Sequence, residues 1–178
     1  MPGLAKLTRP KLHQVVQRER LFERLDQCRE RPIAWIVGPP GAGKTSVVAS
    51  YVSARRIGGL WYHVDAGDHD LATFFHYLTQ AADAATRKRA LPLPRLGPEH
   101  RGDLPGFARL YFRALFARLK APAAIVLDNY HELPAECELH ALLETIAGEV
   151  PQGVCLMVIS RSDPPPQCAA LRAYDRIG

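Results

Sequence analysis

The chain lacks the features that would place it in a membrane, in a secretory pathway or around a structural metal. Among its 178 residues, no apolar run approaches the ~20 residues of a membrane-spanning helix. Residues 1–9 lack the long apolar core of a secretory signal. The four cysteines have neither C-x-x-C nor zinc-ligand spacing, which argues against a disulfide framework and a zinc site. These absences predict a cytoplasmic protein without membrane contact.

The charged residues of the chain are not concentrated in one region. The net charge is +5, yet the basic residues are dispersed, and the densest group is Arg87-Lys88-Arg89. No aromatic residues interleave with that group in the way typical of single-strand-binding surfaces. The pattern favours a solvated surface over a nucleic-acid site. With 47% hydrophobic and 23% charged residues, the composition is that of an ordinary soluble globular domain.

What the chain does have is a complete phosphate-binding loop. Residues 38–45 read Gly-Pro-Pro-Gly-Ala-Gly-Lys-Thr and match G-x-x-x-x-G-K-[ST], between an apolar run at 33–37 and a helical stretch at 45–56. Glycines let backbone N–H groups wrap around a phosphate, and the following helix adds its positive dipole end. The predicted phosphate-binding residues are Gly38, Pro39, Gly41, Ala42, Gly43, Lys44, Thr45 and Ser46. We therefore expect the chain to bind ATP or ADP, with Lys44 at the β- and γ-phosphates and Thr45 as a Mg²⁺ ligand.

Four apolar runs alternate with amphipathic helical patterns. The runs cover 33–37, 60–64, 123–127 and 154–159, and the alternation predicts an α/β fold with a central parallel sheet of four strands and flanking helices. A helix over 18–30 is expected to bury Leu21, Phe22 and Leu25. We predict an N-terminal entry segment at 1–30 that packs on a nucleotide-binding domain at 31–178. Residues 87–105 read as a long surface connector.

The residues that follow the third and fourth strands complete the predicted site. In a parallel sheet, ligands bind beyond the carboxyl ends of the strands. Asp128 ends the third strand and is the expected carboxylate for Mg²⁺, and Arg161 follows the fourth strand, where a cation can sense the γ-phosphate. Asp65, after the second strand, either contacts the metal site through water or serves as a turn and helix-capping residue.

A general base for water is harder to assign. Asn129 follows Asp128, and an amide cannot take a proton at physiological pH. His131 and Glu132 both have suitable chemistry, and the sequence alone does not decide which of them faces the nucleotide.

Together these motifs resemble a known family. The phosphate loop, Asp128-Asn129-Tyr130-His131 and residues 159–165 (Ile-Ser-Arg-Ser-Asp-Pro-Pro) are similar to the nucleotide-binding (NB-ARC/NACHT-like) domain of STAND ATPases. The nearest subgroup is the large ATP-dependent LuxR-type regulators, whose prototype is the maltose-regulon activator. Residues 7–21 resemble the entry segment of that family, and residues 61–78 resemble its "W-x-x-L-D-x-x-D-N-D-P-x-x-F" stretch.

The resemblance implies an ATP-driven switch with a three-layer, ASCE-type P-loop fold. ADP would hold a closed monomer, exchange for ATP would open it for self-assembly, and slow Mg²⁺-dependent hydrolysis would reset it. Lys44, Asp128 and Arg161 would be the catalytic residues, and Thr45 and Asp128 would hold the metal. Val15, Val16 and Arg18 would lie near the adenine.

Two departures from the family matter. The family carries two acidic residues where this chain has Asp128-Asn129, which puts efficient hydrolysis, although not binding, in doubt. Regulators of this type continue into a fifth strand, a winged helix, sensor repeats and a DNA-binding output domain. We therefore expect this chain to be the nucleotide-binding core without those parts. Inducer and DNA would be bound only through those further domains. The missing fifth strand would flank the first strand and leave an exposed edge that favours self-association.

Two other classes compete with the switch. A small-molecule kinase would carry an arginine-bearing lid, for which the only candidate is the connector over residues 87–109. An AAA+-type mechanical ATPase would need an arginine finger and a lid domain, neither of which the sequence shows.

Overall fold

A computed structural model of the chain describes residues 5–10, 18–86 and 91–178. Its strands are β1 (Ile33–Val37), β2 (Gly58–His63), β3 (Ala123–Asp128) and β4 (Val154–Ser160). Its α-helices are α1 (Glu19–Cys28), α2 (Lys44–Ala54), α3 (Leu71–Ala85), α4 (Leu104–Phe116), α5 (Glu138–Glu149) and α6 (Ala169–Ala173). No helix in these three described ranges is long and apolar enough to cross a membrane.

The four strands form one parallel sheet in the order β1-β4-β3-β2. This confirms the predicted α/β fold. All residues of β3 and β4 are buried, because helices cover both faces of the two central strands. Strand β2 begins two residues earlier than the predicted 60–64, at Gly58, and ends one residue earlier, at His63.

Hydrophobic cores of different character lie on the two faces of the sheet. The face covered by α3, α4 and α5 is rich in aromatic rings and includes Phe75, Phe107 and Tyr111. The face covered by α1 and α2 is smaller and has Phe22 edge-on to Tyr51 at 5.6 Å. The three layers that the resemblance implies are therefore present.

The helix boundaries and faces differ from the predictions in places. Helix α1 is shorter than the predicted 18–30, and Leu21 is only half-buried. On α4, Leu110 is 56% exposed, whereas Phe112 and Phe116 face the core. The connector ends with a 3₁₀ turn and an Asp103 cap, so α4 starts at Leu104. The basic residues 87–89 lie outside the described residues.

The outer edge of β1 is partly paired, contrary to the prediction of an exposed edge. The segment 176–178 runs parallel to β1, at the position the resemblance gives to the fifth strand. The Ile33 N–H donates to the Arg176 carbonyl at 3.2 Å, the Gly178 N–H donates to the Ile33 carbonyl at 3.0 Å, and the Trp35 N–H donates to the Gly178 carbonyl at 2.7 Å. Further along the strand, Val37 is 49% exposed.

Candidate functional site

The phosphate loop connects the carboxyl end of β1 to α2. Gly41 and Gly43 have φ angles of 75° and 76°, a region that side chains with a Cβ rarely adopt, and Gly43 directly precedes α2. The Lys44 Nζ donates to the carbonyl oxygens of Gly38 at 2.5 Å and Pro39 at 2.9 Å. The lysine thus lies across its own loop, where a phosphate held by the loop amides would meet its charge.

Thr45 and Asp128 meet beside this loop. The Thr45 hydroxyl donates to Asp128 Oδ1 at 3.1 Å, and the Asn129 N–H donates to the same oxygen at 3.0 Å. Asp128 is 1% exposed at the end of β3. A hydroxyl and one buried carboxylate fit Mg²⁺, which is typically held by one or two carboxylates together with substrate phosphates. Within the described residues no cluster of three or more His, Cys, Asp or Glu could hold a metal alone.

A cleft of about 260 Å³ connects the carboxyl ends of β1, β3 and β4. It is lined by Pro40, Gly41, Gly43, Lys44, Thr45, Asn129, His131, Ile159 and Arg161. The structure therefore brings the phosphate loop, the residues after β3 and the arginine after β4 into one site. Glu132, the other candidate base, does not line this cleft and is exposed.

His131 has an unusual environment in this cleft. Neither of its buried ring nitrogens has a hydrogen-bond partner among the described residues, although Nε2 lies 3.3 Å from Glu132 Oε1 in an unfavourable geometry. Burial, and next the positive charge of Arg161, lower the pKa of His131. Because unmade hydrogen bonds of buried groups are costly, a neutral imidazole here is suited to accept or donate one to a bound ligand.

Three curated relatives of the chain are large transcriptional regulators. The chain is 31% identical to the HTH-type transcriptional regulator MalT of Vibrio campbellii, and 30% identical to the proteins of that name in Vibrio parahaemolyticus and Vibrio cholerae. Each alignment covers 96% of this chain. The chain is a relative of the MalT regulators. The resemblance to LuxR-type STAND ATPases is thereby confirmed, and the chain spans 19% of the length of these MalT proteins.

Two further comparisons bear on the fold. No protein-family profile matches the chain. The solved structure of the Aeropyrum pernix ORC1 protein in complex with DNA superposes with a TM-score of 0.50 at 20% identity, over 84% of this chain and 40% of that one. At this identity the likeness concerns the fold alone, and it agrees with the parallel sheet flanked by helices.

The resemblance implies two acidic residues where this chain has Asp128 and Asn129. The backbone at Asn129 is also unusual. Asn129 has a φ of 63°, in the left-handed region that asparagine tolerates better than most residues. Asn129 lines the cleft, but its carboxamide offers no base. The position next to the candidate Mg²⁺ ligands Thr45 and Asp128 is thus filled by an amide, which can form hydrogen bonds but cannot accept a proton.

The remaining predicted residues are not gathered at the cleft. Val15 and Val16, expected near the adenine, lie outside the described residues. Arg18 is exposed, directly precedes α1 and is not among the residues that line the cleft. Asp65 binds Lys6 at 2.6 Å and caps a 3₁₀ turn through Gly67 N–H at 2.9 Å. The turn and capping role fits Asp65 better than a water-mediated link to the metal site.

Two histidines near the cleft were missed by sequence reasoning. The Tyr130 hydroxyl and His140 Nδ1 are 2.9 Å apart, and His140 Nε2 is 2.9 Å from the Pro134 carbonyl. Because a carbonyl only accepts, Nε2 donates to Pro134 and Nδ1 accepts from the Tyr130 hydroxyl. These hydrogen bonds fix Tyr130, which lies between Asn129 and His131. The second histidine, His63, has its Nδ1 3.4 Å from Asp128 Oδ2. Neither histidine belongs to a motif, so only the tertiary structure reveals them.

Proposed function

We propose that the chain is the nucleotide-binding switch module of a transcription-regulating STAND-type ATPase, with slow Mg²⁺-dependent hydrolysis of ATP. The observation that carries this proposal is the single cleft in which the phosphate loop, the Thr45–Asp128 pair and Arg161 meet. A phosphate loop alone would support nucleotide binding. The additional cation after β4 supports discrimination between ATP and ADP, because it lines the cleft that the terminal phosphate would enter.

The predicted site residues at the cleft have distinct parts in the proposed switch. Backbone amides of the loop would bind the phosphates, and Lys44 would neutralise the β- and γ-phosphates. Thr45 and Asp128 would hold Mg²⁺, which supplies charge neutralisation between the phosphates when bound. Arg161 would contact the γ-phosphate, so that ATP and ADP leave it in different surroundings.

Slow turnover follows from what stands beside Asp128. Asn129 cannot activate a water molecule, which leaves His131 as the residue of the cleft with suitable chemistry. A neutral imidazole with a lowered pKa is a weak base, so hydrolysis is expected to be slow compared with binding. Such a site would distinguish bound ATP from bound ADP and would hydrolyse ATP only slowly.

Other parts of the proposal rest on the resemblance to the MalT regulators. Contacts of Val15, Val16 and Arg18 with the adenine, self-association on ATP binding, and recognition of inducer and DNA by further domains all belong to this group. The small-molecule kinase is the alternative, and it is separated from the switch by its need for an acceptor substrate.

Nucleotide binding is the direct test. We expect ADP and ATP to bind in the presence of Mg²⁺, and Lys44→Ala to weaken binding roughly a hundredfold, because it removes a charged hydrogen-bond donor to the phosphates. The exposed Lys120→Ala serves as a matched control and should bind like the unmodified chain. A Kd of Lys44→Ala within about threefold of that of the unmodified chain would contradict the phosphate-loop assignment.

Turnover separates the switch from the kinase. The switch predicts tight ADP retention and little phosphate release, and Asn129→Asp should raise that release by restoring a carboxylate beside Asp128. Transfer of phosphate from ATP to a panel of small acceptors would overturn the switch in favour of the kinase.

A further inference from the structure

Arg161 lines the cleft, but its own side chain does not fix its position. It is exposed, and its guanidinium makes no hydrogen bond or ion pair with any residue in 5–10, 18–86 or 91–178. An arginine side chain has many rotamers, so its position relative to a bound phosphate depends on the backbone that carries it. The contacts of the loop that follows β4 therefore govern where this cation can reach.

The residues on either side of Arg161 are held by hydrogen bonds. The Ser162 N–H donates to the Ser160 hydroxyl oxygen at 3.2 Å, and the two hydroxyl oxygens also lie 3.2 Å apart. Ser160 is fully buried at the end of β4. The Ser162 carbonyl oxygen accepts from the indole N–H of Trp35 at 3.0 Å. The short loop around Arg161 is thus tied to β4 on one side and to β1 on the other.

Trp35 is itself fixed by its surroundings. It lies in the middle of β1, three residues before the first glycine of the phosphate loop. Its ring packs edge-on against Tyr130, with 5.2 Å between the ring centroids and 77° between the planes, a geometry that aromatic pairs prefer. Tyr130 is buried in the turn after β3, and its hydroxyl lies 2.9 Å from His140 Nδ1. One indole therefore contacts the turn after β3 through its ring and the loop after β4 through its N–H.

The chemistry of the contact between Trp35 and Ser162 is unambiguous. An indole N–H only donates and a carbonyl oxygen only accepts, so the hydrogen bond needs neither a change of protonation nor a bound ion. The second tryptophan of the chain, Trp61, differs in this respect. Its indole N–H is buried and has no hydrogen-bond partner in the part of the chain that the structure describes. The two tryptophans therefore allow a direct comparison of an N–H that holds a loop of the cleft with one that holds none.

We propose that Trp35 is a positioning residue that holds Arg161 within reach of the terminal phosphate of ATP and thereby sets the affinity for ATP relative to ADP. The inference rests on the proposed function, because it concerns the residue assigned there to the γ-phosphate. Without the indole N–H, the Ser162 carbonyl loses its link to β1, and the loop that carries Arg161 is free to move away from the phosphate loop. ADP lacks the phosphate that Arg161 would contact, so its affinity should depend little on where Arg161 lies.

The test compares the affinities for ADP and for β,γ-imido-ATP, which keeps the γ-phosphate but is not hydrolysed. Trp35→Phe removes the N–H and keeps an aromatic ring against Tyr130. It should raise the Kd for β,γ-imido-ATP about fivefold and leave the Kd for ADP within about twofold of the unmodified chain. Equal changes in both Kd values, or no change in either, would overturn the proposal. Trp61→Phe, which also shortens a tryptophan on a strand, is the matched control and should leave the ratio of the two Kd values unchanged.

A double-mutant cycle tests whether Trp35 acts through Arg161. Arg161→Ala should raise the Kd for β,γ-imido-ATP about tenfold, with little effect on the Kd for ADP. Once Arg161 is alanine, Trp35→Phe should cause no further loss, because there is no cation left to position. A fivefold loss that persists in the Arg161→Ala chain would show that Trp35 acts by another route.

A second measurement leaves Trp35 unchanged and decides the question even if Trp35→Phe does not fold. The chain has two tryptophans, so the NMR spectrum of the Trp61→Phe chain contains the indole N–H signal of Trp35 alone. Because this N–H pairs with the loop that would contact the γ-phosphate, its signal should differ between the complexes with β,γ-imido-ATP and with ADP. The same signal position in both complexes would contradict the proposed role.

The outcomes keep this inference apart from the proposed function. If both nucleotides bind and Arg161→Ala weakens only β,γ-imido-ATP, a Trp35→Phe effect that is the same for ADP overturns only the role of Trp35. If neither nucleotide binds, or if Arg161→Ala weakens both alike, the proposed discrimination between ATP and ADP fails together with the role of Trp35. A loss in Trp35→Phe that is specific to β,γ-imido-ATP and depends on Arg161 supports both.

Discussion

The two outer edges of the sheet are covered by different kinds of interaction. At β1 the segment 176–178 pairs through three backbone hydrogen bonds, which any side chains could accompany. At β2 the segment 5–10 is held by side chains, namely the Lys6 contacts with Asp65 and Asp68 and the contact of the His63 ring with the Thr8 carbonyl. The first kind of edge depends on backbone geometry, and the second depends on the identity of a few residues.

The difference matters because both edge strands lead into the candidate site. β1 continues into the phosphate loop, and β2 ends at His63 beside Asp128. The backbone-paired edge leads into the part of the site that we propose to bind phosphate. The edge held by side chains lies beside Asp128, the carboxylate that we propose as a Mg²⁺ ligand. The four predictions below test this contrast, from the largest expected effect to the smallest.

The largest effect is expected at Gly59 of β2, which pairs with Ala124 of β3. Its φ is 118°, and a Cβ added there would lie 1.9 Å from the backbone oxygen of Ala124. Gly59→Ala should lower the free energy of unfolding by about 4 kcal/mol through strain and overpacking, measured by urea denaturation. Gly102→Ala is the control, because its added Cβ would meet no atom within 4 Å. A Gly59→Ala chain as stable as that control would show that β2 accommodates a Cβ at this position.

Asp68 should give the next largest effect. Its carboxylate is fully buried and accepts from Lys6 at 2.8 Å, Tyr62 at 2.7 Å and the Asp65 N–H at 2.9 Å. Asp68→Asn leaves the Lys6 charge with a single exposed partner and should cost about 3 kcal/mol.

The matched control for Asp68→Asn is Asp65→Asn. The Asp65 side chain is 59% exposed, so its loss should cost no more than about 1 kcal/mol. Thermal unfolding of both variants measures the difference. Equal losses would mean that burial of the ion pair contributes nothing at this edge.

Much of the fold and of the generic site could be predicted from the sequence. The strand at 33–37 has the predicted boundaries, and Asp128 and Arg161 lie in or beside the cleft, because residues after parallel strands meet at one edge of a sheet. The same rule left His131 and Glu132 undecided, since neighbouring residues in a turn point in different directions that only the backbone determines.

The residues that make the β2 edge specific could not be predicted. His63 lies inside an apolar run and looks like an ordinary strand residue until the register places it opposite Asp128. Lys6 looks like a surface lysine, because its partners Asp65 and Asp68 are about sixty residues away in sequence. Pairing across a sheet and burial of a charge depend on tertiary structure, which local patterns do not encode.

A smaller effect is expected at the β1 edge. Deletion of residues 176–178 removes the partners of the Ile33 and Trp35 N–H groups and the partly buried Ile177 side chain. We expect a loss of about 2 kcal/mol, because water replaces some of the hydrogen bonds. Amide hydrogen exchange should accelerate at Ile33 and Trp35 and stay slow at the central Ile125. Unchanged exchange at Ile33 and Trp35 would mean that this edge is not held by backbone pairing.

The smallest effect is a dependence on pH that should separate the two edges. The hydrogen bond from Lys6 lowers the pKa of Asp65. A carboxylate with a lowered pKa in the folded state adds stability above its unfolded pKa of about 3.9, and this stability is lost as the pH falls through the folded value. Between pH 6 and 3 the urea midpoint of Asp65→Asn should therefore fall less steeply than that of the unmodified chain. Deletion of residues 176–178 should leave the steepness largely unchanged, because backbone hydrogen bonds do not titrate. Equal slopes for Asp65→Asn and the unmodified chain would show that the Lys6 contact at β2 is no more sensitive to protonation than the backbone pairing at β1.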